Sequence, residues 1–199
     1  RYFVLTKFNL LRTHIEKRVQ LTDEEFEVIS KFFIPKKLRK KQFLLHEGEV
    51  CKNIGFVNSG CLREYTIDSK GSEHIIQFAI EDWWISDPHS FLSGLPSTYN
   101  VDALEDSEVL LLEKSAREKL LDSCPKMERF FRILIEANFV ATQRRITDSL
   151  STSAEERYLK FVKTYPKLIE QVSQNHIASY LGITPQSLSR IRKELTQKY

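Results

Sequence analysis

The sequence has few of the residues on which several protein classes depend. Its three cysteines, at positions 51, 61 and 124, are an odd number with wide spacing. This excludes a disulfide framework and a CxxC-type metal or redox site, so we expect reduced, structural thiols. No N-terminal cysteine cluster is available for an iron–sulfur centre, and isolated histidines give little support for haem. The composition therefore predicts no bound metal.

Long apolar runs and catalytic motifs are missing as well. No apolar stretch approaches the roughly 20 residues that span a bilayer, and the first residues lack the layout of a secretory signal peptide. We therefore expect a cytoplasmic protein with no membrane partner. The sequence also contains no Gly-rich phosphate loop, GxSxG elbow or HExxH pair, which argues against an enzyme and indicates no cofactor.

Positive charge is concentrated in the last quarter of the chain. Residues 151–199 hold eight Lys or Arg and four Asp or Glu, a net charge of +4, whereas the first 150 residues carry a net −1. The overall charge of +3 is too small to indicate a nucleic-acid partner by itself. Its distribution directs attention to the C-terminal segment.

The segment from about 41 to 113 predicts antiparallel β-structure. Short stretches rich in Val, Ile, Phe, Trp and Tyr alternate with turn residues such as Asn58-Ser59-Gly60 and Gly94-Leu95-Pro96. Between two such stretches, Asp68-Ser69-Lys70-Gly71 indicates a hairpin in which Gly71 adopts positive φ. We expect a β-sandwich or barrel.

Helical patterns precede and follow this segment. Thr22 and Glu25 form a capping box that predicts a helix from about Asp23 to Phe33. After Pro125, apolar residues recur at spacings of three, four and seven, which predicts a long helix over 125–150. At 1.5 Å per residue it would extend roughly 39 Å, more than one small β-domain covers. Its apolar face therefore needs a second copy of the helix or, alternatively, the chain's own sheet.

The stretch from Val172 to Leu195 predicts two short helices joined by a tight turn. Ser173 is suited to cap the first helix, and Gly182 to supply the left-handed turn residue. Thr184 and Pro185 give the second helix an N-cap and a favourable first position. This arrangement is typical of a helix-turn-helix.

The second helix would bury Leu188, Ile191 and Leu195 and turn a polar and basic face outward. Amide and guanidinium groups suit the base edges of a major groove, and positive charge suits phosphates. Every amphipathic helix has a polar face, so the prediction depends on that face together with the turn and the caps. The predicted DNA-binding residues are Gln186, Ser187, Ser189, Arg190, Arg192 and Lys193. Arg190 is the expected reader of guanine.

Over essentially all of its length, the chain resembles the catabolite activator/FNR (Crp/Fnr) family of bacterial regulators. The resemblance rests on Gly48-Glu49, Gly60 before Cys61-Leu62-Arg63, the Gly71-Ser72-Glu73 turn, residues 101–112 and, most specifically, 173–195. It implies an α+β fold with a cyclic-nucleotide-binding-type β-roll (jelly-roll) sensor domain at 1–124, a dimerisation helix at 125–150 and a winged helix-turn-helix domain at 151–199. It also implies a transcriptional regulator with double-stranded DNA, a second copy of the chain and RNA polymerase as partners.

The resemblance also places the family's base-reading residues on Pro185, Gln186 and Arg190. Proline is a departure, because its side chain forms no hydrogen bond with a base. We therefore expect a sequence preference that differs from that of the family's best-known members.

The family's cyclic nucleotide cassette is degraded in this chain. Matching Asp82-Trp83-Trp84 to the family places Ile85 and Ser86 where a Gly-Glu pair binds the nucleotide, and Ser97 where an arginine meets the phosphate. No Lys or Arg lies between Glu81 and Val101. A buried phosphate would lack a cationic partner, so we expect no binding of cyclic AMP or GMP.

Another effector is a separate hypothesis for the same region, in which aromatic side chains line an apolar pocket with a few polar contacts. Core packing is the competing explanation for each of them. The candidate pocket residues are Trp83, Trp84, Ser86, Asp87, His89, Ser97 and Tyr99. An alternative for the whole chain is a cyclic-nucleotide-binding regulatory module that acts on a protein partner, but this would leave the helix-turn-helix without a use.

Overall fold

The computed structural model describes residues 6–198, so positions 1–5 and 199 of the predicted domains lie outside the described residues. The chain forms two compact units, Arg1–Tyr65 with Gln77–Ala137, and Thr66–Ile76 with Asn138–Tyr199. The second unit therefore includes the tip of a β-hairpin, residues 66–76. The last boundary, between residues 137 and 138, lies within the long helix. The predicted ranges 1–124, 125–150 and 151–199 stay a prediction.

The first unit is built on an eight-stranded roll with short helices. A 3-10 turn at Thr6–Phe8 comes first. The helices are α1 (Asn9–Glu16), α2 (Asp23–Ser30), α3 (Pro88–Ser93) and α4 (Lys114–Ser123). The strands are β1 (Ile34–Leu38), β2 (Phe43–Leu45), β3 (Asn53–Ser59), β4 (Cys61–Ile67), β5 (Glu73–Ile80), β6 (Trp84–Ile85), β7 (Asn100–Ala103) and β8 (Ser107–Glu113). The predicted β-structure of residues 41–113 is therefore confirmed, with the short helix α3 inserted between β6 and β7.

Two four-stranded sheets form the sandwich, with orders β1-β8-β3-β6 and β2-β7-β4-β5. Strand β8 shows how the sequence divides the core, because successive side chains on a strand point to opposite faces. Val109 and Leu111 belong to the cluster inside the sandwich, whereas Leu110 and Leu112 belong to the cluster formed with the helices. Strand β8 is thus buried on both faces.

The predicted capping box and hairpin are both present. The Thr22 hydroxyl accepts the Glu25 N–H at 3.2 Å, and the Glu25 carboxylate accepts the Thr22 N–H at 2.8 Å. Helix α2 ends at Ser30, earlier than predicted, because the chain turns there toward β1. The β4–β5 turn contains Gly71 at φ 81°. A Cβ on Gly60, at φ 93°, would lie 2.2 Å from the Ser107 hydroxyl, so this tight turn requires glycine.

All three cysteines are buried free thiols, as predicted. Burial raises the pKa of the Cys51 thiol. It also raises the pKa of Cys61 to about 12, with a smaller contribution from the nearby Glu105 carboxylate. Because the thiolate is the reactive form, these raised values fit unreactive core side chains.

The predicted long helix is confirmed as α5 (Lys126–Ser151). Met127, Phe130 and Phe131 near its start are buried in the first unit. Further along, apolar side chains at spacings of four, seven and four residues form one exposed stripe on the single chain. This α5 stripe consists of Ile135, Phe139, Ile146 and Leu150.

The second unit contains the four C-terminal helices. They are α6 (Ala154–Thr164), α7 (Pro166–Gln171), α8 (Gln174–Leu181) and α9 (Pro185–Lys198). Ser153 and Glu156 form a capping box at the start of α6. No strand that would form a wing lies among the described residues 151–198. Between residues 6 and 198, none of the helices combines the length and hydropathy needed to cross a membrane.

Candidate nucleic-acid interface and ligand cavity

The helix-turn-helix has the predicted caps and turn. The Ser173 hydroxyl accepts the His176 N–H at 3.2 Å, which fixes the start of α8. Gly182 ends that helix in the left-handed conformation at φ 67°. The Thr184 hydroxyl then accepts the Ser187 N–H at 3.1 Å, and Pro185 begins α9. Each end of the turn is therefore held by a residue suited to it.

Helix α9 buries Leu188 and Ile191 and half-buries Leu195, as predicted. Five of the six predicted DNA-binding side chains are exposed: Gln186, Ser189, Arg190, Arg192 and Lys193. Ser187 differs, because it is half-buried and its hydroxyl accepts a hydrogen bond from the Thr184 hydroxyl at 2.9 Å. Ser187 therefore contributes to the N-terminal cap of α9.

A concave surface that encloses a volume of about 580 Å³ lies along the exposed face of α9. It is lined by Gln174 and Asn175 from the start of α8 and by a larger set from α9: Pro185, Gln186, Ser189, Arg192, Lys193 and Thr196. Two cations and several amide and hydroxyl groups thus share a concavity whose lining includes no carboxylate. Cations and hydrogen-bonding groups of this kind match phosphates and base edges.

Arg190 lies outside this concavity but is highly exposed on the same helix. Its side chain is 73% exposed, and its Nε lies 4.0 Å from a Glu194 carboxylate oxygen. An exposed pair at this distance contributes little stability. The guanidinium therefore remains available to a ligand at small energetic cost.

The start of strand β5 contacts the helix-turn-helix within the second unit. The Ser179 hydroxyl on α8 accepts the Ile75 N–H and donates to the Glu73 carbonyl, both at 2.9 Å. Arg145 donates to the Ile76 carbonyl at 2.5 Å and lies 4.9 Å from the centroid of the Tyr180 ring. Sequence reasoning missed the hydrogen bonds because 69 to 106 positions separate their partners.

In the first unit, Trp84 belongs to an aromatic cluster in the core. Its indole N–H donates to His14 Nε2 at 3.1 Å, and its ring lies 5.2 Å from Phe56 and 5.9 Å from Phe131 between centroids. The competing explanation, core packing, therefore describes this residue. Trp83 is likewise half-buried and packs against the interior cluster of the sandwich.

His14 connects the N-terminal helix to this cluster. Its Nδ1 lies 2.8 Å from an Asp82 carboxylate oxygen, while Nε2 accepts from Trp84, which defines a neutral ring with its proton on Nδ1. Burial lowers the pKa of His14, and the hydrogen bond to Asp82 opposes this effect. Lys17 also binds Asp82, at 2.7 Å.

Asp87 and Ser97 form a buried polar pair. The Asp87 carboxylate caps α3 by accepting the Ser90 N–H at 3.1 Å, and it accepts the Ser97 hydroxyl at 2.7 Å. Both residues are buried. Ser97, which the resemblance aligns with the family's phosphate-binding arginine, is thus hydrogen-bonded to a carboxylate, which would repel a phosphate.

The effector pocket predicted from seven residues stays a prediction. The roll does contain a cavity of about 460 Å³, but Ser86 is the one predicted residue among those that line it. His89 is exposed, and Tyr99 is half-buried with its N–H bound to Ser97. The cavity walls include Leu44, Leu45, Ile85, Val101 and Leu111. Lys36, Glu49 and Lys52 contribute the charged groups.

Within residues 6–198, no three His, Cys, Asp or Glu side chains are grouped so that they could hold a metal ion. The described residues thus offer two candidate ligand-binding surfaces. One is the polar and basic face of α9, and the other is the cavity in the roll.

Comparison with known proteins shows what these features are similar to. Residues 35–124 match the cyclic nucleotide-binding domain. The fumarate and nitrate reduction regulatory protein of Yersinia pestis is 24% identical over 183 residues, which cover 86% of this chain and 72% of that protein. The structure of FixK2 from Bradyrhizobium japonicum has a TM-score of 0.72 at 20% identity, covering 83% of this chain and 85% of its own.

The Thermus thermophilus catabolite activator protein is also similar, with a TM-score of 0.59 at 18% identity over 93% of this chain and 87% of that one. At these identities the solved structures support the fold. These relatives are named as regulators and activators rather than as enzymes. The chain thus matches the cyclic nucleotide-binding domain over residues 35–124 and is similar, over most of its length, to regulators of the Crp/Fnr type.

Proposed function

We propose that the chain is a sequence-specific DNA-binding regulator that acts without catalysis and binds DNA as a homodimer. The observation that carries this proposal is helix α9, which is capped by Thr184 and exposes Gln186, Arg190 and Lys193. Their placement matters because base readout needs donors held at fixed positions in the major groove.

Each exposed side chain suits a particular contact. Arg190 is the reader of guanine, since bidentate bonding to O6 and N7 discriminates by about 1–3 kcal/mol. Gln186 suits adenine. Arg192 and Lys193, in the concave surface, suit phosphates. Pro185 provides only apolar contact, so the preferred operator differs from that of relatives with a polar residue there.

The α5 stripe supports the homodimer. Phe139 is 63% and Leu150 83% exposed on the single chain, which is costly for large apolar side chains in a row. A second α5 packed against this stripe would bury them. It would also present two α9 helices to half-sites about 34–36 Å apart on the DNA.

A cyclic nucleotide is not the effector that we propose. Ile85 replaces the glycine of the cassette, and Asp87 bonds Ser97 where a phosphate would be held. RNA polymerase is the protein partner to expect of a regulator bound at a promoter. A protein with these partners acts where the chromosome lies, which in a bacterium is the cytoplasm.

The test is a titration of genomic DNA fragments, including the promoter beside the protein's own gene, at several salt concentrations and with and without cyclic AMP. We expect two-fold symmetric footprints that the nucleotide does not alter. Arg190→Ala should remove sequence preference and leave the dimer intact. Lys167→Ala, which removes an exposed charge on α7, is the matched control and should preserve that preference.

Two outcomes would contradict the proposal. Loss of dimerisation in Arg190→Ala would mean that this residue is misplaced. Retained nucleotide affinity without DNA affinity would instead support a module that acts on a protein partner. Binding to DNA only in the presence of cyclic AMP would leave the regulator intact and refute the argument about the cassette.

A further inference from the structure

The cavity in the β-roll contains positive charge that the sequence of the nucleotide cassette does not predict. The segment between Glu81 and Val101 contains no Lys or Arg. The fold nevertheless brings two lysines to the cavity from elsewhere, Lys36 from β1 and Lys52 from the loop before β3. The charge of the cavity is therefore set by residues outside the cassette.

The two lysines are not neutralised by neighbouring acids. Neither has a carboxylate within ion-pair distance among the described residues 6–198. Glu49 is the one acidic residue in the lining, and its carboxylate already accepts the His46 N–H at 3.0 Å. Two ammonium groups and one carboxylate leave the cavity with a net charge of about +1.

The rest of the lining is mainly apolar. Leu45 and Val101 come from one sheet and Ile85 and Leu111 from the other, so the walls are the inner faces of the sandwich. A volume of about 460 Å³ lies within the range of small-molecule sites. Such walls favour an apolar ligand body. The long, flexible lysine side chains can place their ammonium groups beside a charged group at the rim.

We propose that this cavity binds a small amphipathic monoanion, a carboxylate with an apolar body, whose charge is held by Lys36 and Lys52. A carboxylate fits better than a phosphate monoester, which carries about −1.5 to −2 at neutral pH, because a single negative charge matches the net charge of the lining. Ile85 and Ser86 also replace the Gly-Glu pair of the nucleotide cassette. The inference goes beyond DNA binding and does not depend on it.

Strand β1 provides a matched control, because neighbouring side chains on a strand point to opposite faces. Lys36 lines the cavity, and Leu38 on the same face belongs to the interior cluster. Lys37 is 84% exposed and lies 3.8 Å from Glu108. Lys36→Met and Lys37→Met therefore remove the same charge from opposite faces of one strand.

The experiment is calorimetric titration of the full chain, without DNA, with octanoate, 1-octanol and octylammonium. Octanoate should bind roughly tenfold more tightly than octanol, as expected for a charge-assisted contact that is partly exposed, and octylammonium should not bind. Lys36→Met and Lys52→Met should each weaken octanoate binding roughly fivefold and leave octanol unchanged. Lys37→Met should bind octanoate like the unmodified chain.

The proposal is overturned if octanoate shows no heat of binding up to about 10 mM, where even a millimolar site would be filled. Equal affinity for octanoate and octanol, or unchanged binding in both Lys36→Met and Lys52→Met, would also overturn it. Displacement of octanoate by cyclic AMP would assign the site to a phosphate ligand instead. None of these results bears on DNA binding by α9.

Discussion

Ser179 completes the hydrogen bonding of the edge strand β5 at Ile75. Strand β5 lies at the end of its sheet, and its N–H at Ile75 and carbonyl at Glu73 both meet the Ser179 hydroxyl at 2.9 Å. An unpaired edge exposes such groups and favours unwanted strand pairing. Helix α8 of the helix-turn-helix therefore covers part of this edge within the second unit.

Replacing Ser179 with alanine should release the Ile75 amide. The variant loses a donor and an acceptor together, so we expect the unfolding free energy to fall by about 1 kcal/mol. Amide exchange at Ile75, followed by NMR, should be faster than in the unmodified chain. Ser189→Ala removes an exposed serine of α9 and should leave that rate unchanged. Unaltered exchange at Ile75 in Ser179→Ala would show that the bridge does not protect the edge.

Stability should depend on pH through His14. Burial lowers the pKa of this ring in the folded chain below its ordinary value of about 6.5, so the unfolded chain binds the proton more tightly. The contribution is complete above pH 6.5 and is lost as the pH falls below it, by at most about 1.4 kcal/mol per pH unit. Protonation would also place a hydrogen on Nε2, which faces the Trp84 N–H.

The measurement is urea unfolding between pH 7.5 and 5 for the unmodified chain and for His14→Gln. The glutamine cannot titrate, so its stability should fall less over this range. His89→Gln removes an exposed histidine and should follow the unmodified chain. A pH dependence that is identical in all three proteins would mean that His14 does not contribute, although Asp82, Lys17 and Arg18 lie around it.

A charge in the α5 stripe should dissociate the proposed homodimer. Phe139→Glu would place a carboxylate at the centre of the expected helix–helix contact, where it has no partner. Sedimentation velocity should then show monomers at concentrations at which the unmodified chain is dimeric. Ala141→Glu introduces the same charge two residues away, on the opposite side of the helix, and should remain dimeric. Dimers of Phe139→Glu would show that another surface mediates assembly.

Features encoded by neighbouring residues were predictable from the sequence. Thr22 with Glu25, and Thr184 with Pro185, act over three or four positions, so their pattern indicates the start of a helix. The hairpin at Gly71 and the period of α5 are local in the same sense. The ends of these elements were less certain, as α2 shows, because tertiary packing decides where the chain leaves a helix.

The cavity was not predictable because its lining comes from distant parts of the chain. Lys36, Lys52 and Ile85 meet only after β1, β3 and β6 have been placed in one sheet. Trp84 was misleading for a related reason. Its partners His14 and Phe131 lie on helices far away on either side in the sequence, and nothing near Trp84 indicates that they would enclose it.

The inclusion of Thr66–Ile76 in the second unit has a consequence for how this protein can be divided. The polypeptide passes between the units at residues 65–66, 76–77 and 137–138, so no single cut separates them. A fragment that begins near residue 151 would contain α6 to α9 but lose the partners of Ser179. Recombination that exchanged only the C-terminal part of the second unit between relatives would leave behind its other part. That part is the eleven-residue segment Thr66–Ile76, which is encoded far upstream in the gene.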